Sequence, residues 1–100
     1  MDFEVDWPAA ARRDLKRIVD YFLRTDADAI PDAVGPIIRK IESLAQFPYS
    51  GDIWQRTGSR EFRVIVAGSY RAFFELDPDE RVVTIRKILH VSQQDPDFSE

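Results

Sequence analysis

The stretch covering residues 63–90 constrains the fold more than any other part of the chain. Its apolar side chains alternate with polar ones, and two groups of turn-forming residues interrupt the alternation. A period of two is the pattern of a β-strand that is buried on one face. We therefore predict three consecutive antiparallel strands joined by tight hairpins.

The length of the first hairpin loop decides which side chains share a face. A three-residue loop of residues 66–68, with Gly68 in the left-handed conformation, pairs Arg63 with Arg71 and keeps the apolar side chains together. A two-residue loop of Gly68 and Ser69 would instead put Arg63 on the apolar face. The alternation of apolar and polar residues therefore favours the longer loop.

The second turn, residues 77–80, has proline at the position that a type I turn prefers. With these four residues as the loop, Arg71 faces Arg86, although a change of phase near Arg86 indicates a β-bulge there. Arg63, Arg71 and Arg86 are then expected to form a row across one face of the sheet. Phe73 is expected on the same face, exposed between arginines, which suits a contact with another protein.

The N-terminal part of the chain predicts a short strand and a helix. Phe3, Val5 and Trp7 alternate with acidic residues, as in a half-buried strand. From Pro8 to about Arg24 the apolar residues recur every three or four positions, which predicts an amphipathic helix that begins at the proline.

A second apolar stripe predicts another helix, but prolines interrupt it. Proline inside a helix removes a backbone hydrogen bond, so we expect a kink or restart at Gly35 and Pro36, with regular helix from Pro36 to about Gln46. Residues 48–59 are rich in turn formers and are expected to form an irregular loop. Residues 91–100 are expected to form a loosely docked tail.

The predicted fold class is α+β, with the order β-α-α-β-β-β in a single domain spanning residues 1–100. Both helical stripes cover one face of a small antiparallel sheet, so the helices form a hairpin on that face. No glycine-rich phosphate loop follows a strand, and no catalytic elbow or metal-binding pair of histidine and glutamate is found.

Composition limits the classes of function. The chain has no cysteine and one histidine, so a zinc or iron site built by the protein is not expected, and neither is a cofactor. The net charge of −4 argues against broad electrostatic attachment to nucleic acid or anionic lipid. No apolar run is long enough to span a bilayer and no signal sequence is found, so we expect a cytoplasmic protein.

The chain resembles the RelE/ParE superfamily of toxins from type II toxin-antitoxin systems, and most of all its ParE-like, plasmid-stabilisation branch. The order and spacing of residues along nearly the whole chain carry the resemblance. These residues are Trp7, Ala10, Asp14, Leu15, Ile18, Tyr21, Ile41, Leu44, 48–51, Arg63, Tyr70, Arg71, 83–85, Ile88 and His90. The resemblance implies a compact β-α-α-β-β-β toxin that stops growth, and an antitoxin whose C-terminal segment wraps and neutralises it.

The superfamily implies two different activities. RelE-like members cut mRNA in the ribosome, for which Arg63, Arg71 and Arg86 could supply cations and His90 or Glu75 could transfer the proton. ParE-like members lack the nuclease residues and poison DNA gyrase through protein contact. The acidic composition and the absence of a basic C-terminus favour the second activity.

We therefore predict a ParE-like toxin that inhibits growth through DNA gyrase, as a gyrase poison rather than an mRNA nuclease. The alternatives are a ribosome-dependent mRNA endonuclease and a binding module without toxicity. An acidic antitoxin segment is expected to bind Arg63, Arg71, Phe73 and Arg86, or to lie along the helical hairpin. The toxin alone is not expected to bind DNA or a membrane.

Overall fold

The structure is a computed structural model that describes residues 2–99. In chain order its strands and α-helices are β1 (Glu4–Asp6), α1 (Ala9–Thr25), α2 (Ile30–Glu42), β2 (Asp52–Thr57), β3 (Arg60–Ala67), β4 (Tyr70–Asp77) and β5 (Val82–His90). Short 3₁₀ turns precede and follow α2, at Ala27–Ala29 and Ser43–Ala45.

The strands form one sheet in the order β1-β5-β4-β3-β2, in which β1 runs parallel to β5 and the other neighbours are antiparallel. Both α-helices pack on the same face, here called the helix face, and the opposite face is called the outer face. The main core lies between helices and sheet, with Ile18, Ile37, Ile41, Phe74 and Ile85 among its members. This confirms the α+β class, with one strand more than the sequence predicted.

The first helix agrees with its prediction. Pro8 precedes its first turn, where the missing N–H costs no helical hydrogen bond. The helix ends at Thr25, one residue beyond the expected end, and buries Ala11 and Ile18 against the sheet. The spacing of its apolar residues was therefore a sufficient signal.

The predicted restart of the second helix at Pro36 is wrong. α2 begins at Ile30 and continues past Pro36 to Glu42. Pro31 lies in the first turn, where it is compatible with the helix. Pro36 is inside the helix, and the buried stripe on which Ile37 lies compensates for the lost hydrogen bond.

The predicted irregular loop at residues 48–59 is also wrong in its second half. Residues Asp52–Thr57 form the edge strand β2, which pairs with β3 and contains a bulge between Ile53 and Gln55. Thr57 pairs with Arg60, so Gly58 and the following serine form a two-residue hairpin loop. Gly58 has a φ of 62°, which the turn requires and glycine adopts easily.

The β3–β4 hairpin has the shorter of the two loops considered. Ala67 pairs with Tyr70, which leaves Gly68 and Ser69 as the loop, and Gly68 has a φ of 61°. Arg63 therefore pairs with Phe74 rather than with Arg71. The predicted register is wrong, because the sheet places an arginine on the helix face that the alternation pattern assigned to solvent.

In the β4–β5 hairpin the partners on β5 lie two residues further along than predicted near the turn, and three residues further along beyond the bulge. Asp77 pairs with Val82, so the loop is residues 78–81, and Arg71 pairs with Leu89 instead of Arg86. The side chain of Asp77 accepts hydrogen bonds from two backbone N–H groups of this loop, both at 3.1 Å. The expected bulge is present, because the pairing passes over Arg86.

None of the helices between residues 2 and 99 combines the length and the apolar character needed to cross a membrane.

Candidate functional site

The structure does not form the predicted arginine row. Arg63 pairs with Phe74 of the main core and lies on the helix face, whereas Arg71 and Arg86 lie on the outer face. The side chain of Arg63 is only 12% exposed. It donates to Glu61 Oε2 at 2.5 Å and to the backbone oxygen of Gly51 at 2.7 Å. Arg63 thus holds the loop before β2 against the sheet.

Arg86 shares a carboxylate with a second arginine on the outer face. Glu75 Oε1 accepts hydrogen bonds from Arg86 Nη1 at 2.9 Å and from Arg60 Nη2 at 2.8 Å, and Glu75 Oε2 accepts from Arg60 Nε at 3.0 Å. The hydrogen bonds and charge of Arg60, followed by the charge of Arg86, lower the pKa of Glu75 although its partial burial opposes the shift. Glu75 is therefore ionised at neutral pH and holds no proton to donate.

Arg71 is covered by residues near the C-terminus. Its Nη1 donates to Asp95 Oδ1 at 2.7 Å and its Nη2 donates to the backbone oxygen of Gln93 at 3.2 Å. The guanidinium also lies 5.1 Å from the centre of the Phe73 ring. The Nε atom of Arg71 is buried and has no hydrogen-bond partner within the described residues.

Four aromatic side chains form a second, smaller apolar cluster on the outer face, here called the aromatic cluster: Trp54, Phe62, Phe73 and Phe98. Phe98 stacks on Phe62 with ring centres 4.5 Å apart and an angle of 7° between the planes. Trp54 meets Phe73 edge to face at 5.0 Å. Phe73 is completely buried, so the prediction of an exposed Phe73 is wrong.

The C-terminal strap, residues 93–99, covers this cluster. Trp54 Nε1 donates to the backbone oxygen of Pro96 at 3.2 Å. Gln55 holds the strap twice, because its Nε2 donates to Asp97 Oδ1 at 2.8 Å and its Oε1 accepts from the N–H of Phe98 at 2.9 Å. The bond from Gln55 is the largest cause of a lowered pKa of Asp97. The tail is thus docked through specific contacts that the sequence did not indicate, and residue 100 of the expected tail lies outside the described residues.

One sequence signal could have identified the covered outer face. Ala72, Phe73 and Phe74 are consecutive buried residues in β4. Successive side chains in a strand point to opposite faces, so a run of this kind requires a cover on both. Phe98 is the one aromatic residue after β5 that could provide it.

His90 lies on the helix face at the end of β5, where it pairs with Tyr70, five residues along β4 from Glu75. It borders an open groove of 760 Å³ between the helices and the β3–β4 turn, together with Tyr21 and Tyr70. The His90 ring meets Tyr70 edge to face at 5.4 Å, and its Nδ1 accepts from the N–H of Ser92 at 3.1 Å. Burial, and to a smaller extent Tyr21, raises the pKa of Tyr70.

The residues that a nuclease would need are thus divided between the two faces. Glu75, Arg71 and Arg86 lie on the outer face, and Arg63 and His90 lie on the helix face. Between residues 2 and 99, no group of three histidine, aspartate or glutamate side chains has an arrangement that could hold a metal ion.

A family model described as the ParE toxin of the type II toxin-antitoxin system, parDE, matches residues 5–95. No curated protein matches the chain in sequence.

Solved structures of toxin-antitoxin systems share the fold. The toxin-antitoxin complex RelBE2 from Mycobacterium tuberculosis gives a TM-score of 0.68 at 20% identity over 90% of this chain and 99% of that chain. The chromosomal ParDE system from P. aeruginosa gives 0.70 at 18% identity over 88% and 95%. A mutant of the E. coli toxin RelE in the free state gives 0.61 at 10% identity over 92% and 86%.

Proposed function

We propose that this chain, which belongs to the ParE toxin family and is the toxin of a type II toxin-antitoxin system, stops growth by contact with DNA gyrase and not by cutting mRNA. An antitoxin neutralises it by covering part of its surface. The toxin assignment follows from the family, whose model matches residues 5–95. The proposal adds the identity of the target, DNA gyrase.

The arrangement of arginines around Glu75 is the observation that favours gyrase over mRNA as the target. An mRNA nuclease needs cations that are free to meet a phosphate, and a group beside them that exchanges a proton near neutral pH. Arg60 and Arg86 both bond to Glu75, and they lower its pKa. His90, the other candidate for proton transfer, lies on the helix face. Paired cations of this kind suit the recognition of a protein surface better than phosphate chemistry.

We assign the antitoxin contact to Arg71 and Arg86 on the outer face, and to Phe73 beside them, which is buried and becomes accessible only when the strap leaves it. Support comes from the strap, in which Asp95 already occupies Arg71 as an acidic partner residue would. Arg63, which the sequence grouped with them, packs beside Glu61 on the other face and joins the contact only where the antitoxin also reaches that side. A path along the helical hairpin remains the alternative course.

The target can be tested by inducing the chain alone in a tolerant host. Growth, the supercoiling of a reporter plasmid and the incorporation of labelled amino acids are measured in parallel. We expect growth to stop with loss of negative supercoiling while translation continues at first. A His90→Gln variant is induced beside it and should be equally toxic, because the gyrase model gives His90 no proton to transfer.

Two results would contradict the proposal. Prompt arrest of translation with cut mRNA, removed by His90→Gln, would identify the chain as a ribosome-dependent endonuclease. Normal growth at a verified level of soluble protein would identify it as a binding module without toxicity.

A further inference from the structure

We propose that the outer face carries a peptide-binding groove, which the C-terminal strap fills in cis and which takes an acidic segment with one aromatic anchor from a partner protein. Naming the partner as the antitoxin rests on the proposed function, but the groove itself does not. The match to the family model ends at residue 95, so the aromatic anchor Phe98 lies beyond the matched residues. The kind of peptide that the groove accepts is therefore inferred from the contacts that the strap makes with the outer face.

The aromatic slot selects a flat side chain. Phe98 lies parallel to Phe62 at 4.5 Å and is tilted against Phe73 at 6.3 Å. The guanidinium of Arg86 lies 5.8 Å from the centres of the Phe62 and Phe98 rings. A ring placed here therefore gains stacking on one side and a cation near its face. An aliphatic side chain would gain neither.

The polar contacts select an extended acidic segment. Arg71 takes the carboxylate of Asp95, and Gln55 takes the carboxylate of Asp97 two residues later. Gln55 also accepts a hydrogen bond from the backbone N–H of Phe98. Trp54 donates one to the backbone oxygen of the proline that lies between the two acidic residues. The pattern that fits is acid, proline, acid, aromatic. A disordered antitoxin segment of this composition could adopt it on binding.

The strap is an occupant that a partner can replace. Among residues 93–99, the hydrogen bonds to the sheet all involve a side chain, apart from a turn bond from the N–H of Gln93 to the carbonyl of His90, so no strand ladder has to be broken. Asp95 is still 61% exposed, and Arg71 Nε remains buried without a partner. A carboxylate that bound Arg71 through two parallel hydrogen bonds would satisfy this donor. The strap is held mainly because it is attached to the same chain.

The groove can be tested on the full-length chain with a fluorescent peptide of residues 93–99 and anisotropy as the readout. In the wild type the attached strap competes, so binding should be weak. Phe98→Ala loosens the strap and should bind the peptide at least about tenfold more tightly. Gln94→Ala changes an exposed strap residue and should bind like the wild type.

Two further variants locate the site. Phe98→Ala combined with Gln55→Ala should lose the gain in affinity, because Gln55 holds both Asp97 and the N–H of Phe98. A peptide whose phenylalanine is replaced by alanine should not bind any variant. Asp97→Asn loosens the strap by a second route and should change affinity in the same direction, even if Phe98→Ala does not fold.

Equal peptide binding by wild type and both loosened variants, or binding by none, would overturn the groove. A wild-type dimer that Phe98→Ala converts to monomer in sedimentation would show that the occupant is the strap of a second copy, which overturns the cis assignment. The readout is independent of toxicity. Peptide binding by a chain that does not affect growth would preserve the groove and reject the proposed function.

Discussion

Asp14 shows how one buried carboxylate connects a helix to the sheet. Its side chain is 7% exposed, and its Oδ2 accepts the N–H of Ile88 in β5 at 3.0 Å. Its Oδ1 accepts a hydrogen bond from Arg17 at 3.0 Å. The carboxylate thus gives a buried backbone donor an acceptor from α1, and the arginine offsets its charge.

Asp14→Ala should lower the free energy of unfolding by about 1–3 kcal/mol, because it leaves the N–H of Ile88 without its acceptor. Asp14→Asn keeps one acceptor oxygen and should lose less. Urea unfolding at neutral pH measures both. Asp20→Ala removes the exposed pair with Lys16 on the same helix and serves as the control, with an expected loss below about 1 kcal/mol. Equal losses for Asp14→Ala and Asp20→Ala would contradict the role of Asp14.

At the scale of single residues, the sequence did not predict which charged side chains are buried. The apolar stripe of α1 was readable because it repeats, whereas Asp14 lies beside that stripe and a binary pattern assigns it to solvent. The same assumption placed Arg63 on the wrong face. Each of these residues is buried through specific partners, Ile88 N–H for one and the Gly51 carbonyl for the other, which no local pattern contains.

At the scale of elements, the sequence predicted helices better than hairpin registers. Helical stripes extend over many residues, so a single proline such as Pro36 shifts a boundary without hiding the element. A hairpin register depends on one or two loop residues. The pair glycine-serine occurs at Gly58 and again at Gly68, and both times it forms a two-residue loop. For the β3–β4 register, the glycine-serine turn was therefore a more reliable signal than the expectation that Arg63 faces solvent.

Gly68→Ala should destabilise the chain by about 1–2 kcal/mol, because a side chain at a φ of 61° brings Cβ close to the following carbonyl. Thermal unfolding measures the loss. Gly35→Ala is the matched control within α2, where the new Cβ would meet only the flexible end of Arg39, 3.0 Å away at Nη1. It should be neutral or stabilise by up to about 1 kcal/mol. A neutral effect of Gly68→Ala would contradict the two-residue loop.

At the scale of the whole molecule, the sheet is covered on both faces. The helices cover one face, and the strap covers the aromatic cluster on the other. The α+β class and the family were predictable, because periodicity and residue spacing extend over the whole chain. The strap was not predictable from the sequence, because its contacts join Phe98 to Phe62 and Asp97 to Gln55 across more than thirty intervening residues.

Two ion-paired glutamates, Glu75 on the outer face and Glu61 on the helix face, also determine how the molecule responds to acid. Glu75 and Glu61 have a pKa below the ordinary 4.5, first because of hydrogen bonds from Arg60 and Arg63 respectively. A group whose pKa is lower in the folded state contributes stability that is fully present well above its unfolded pKa. That contribution is lost as the pH falls through the folded pKa.

Stability should therefore be nearly constant from neutral pH down to about 5 and then decrease. Urea unfolding between pH 7 and pH 3 measures this, and Glu75→Gln should be less stable at pH 7 with a flatter decrease below. The strap adds a local transition, since the pKa of Asp97 lies below its ordinary 3.8 and protonation weakens the contact with Gln55. Trp54 fluorescence should report strap release at a lower pH than the first loss of global stability. A strap that leaves the aromatic cluster while the stability is still at its neutral value would show that other groups hold it in place.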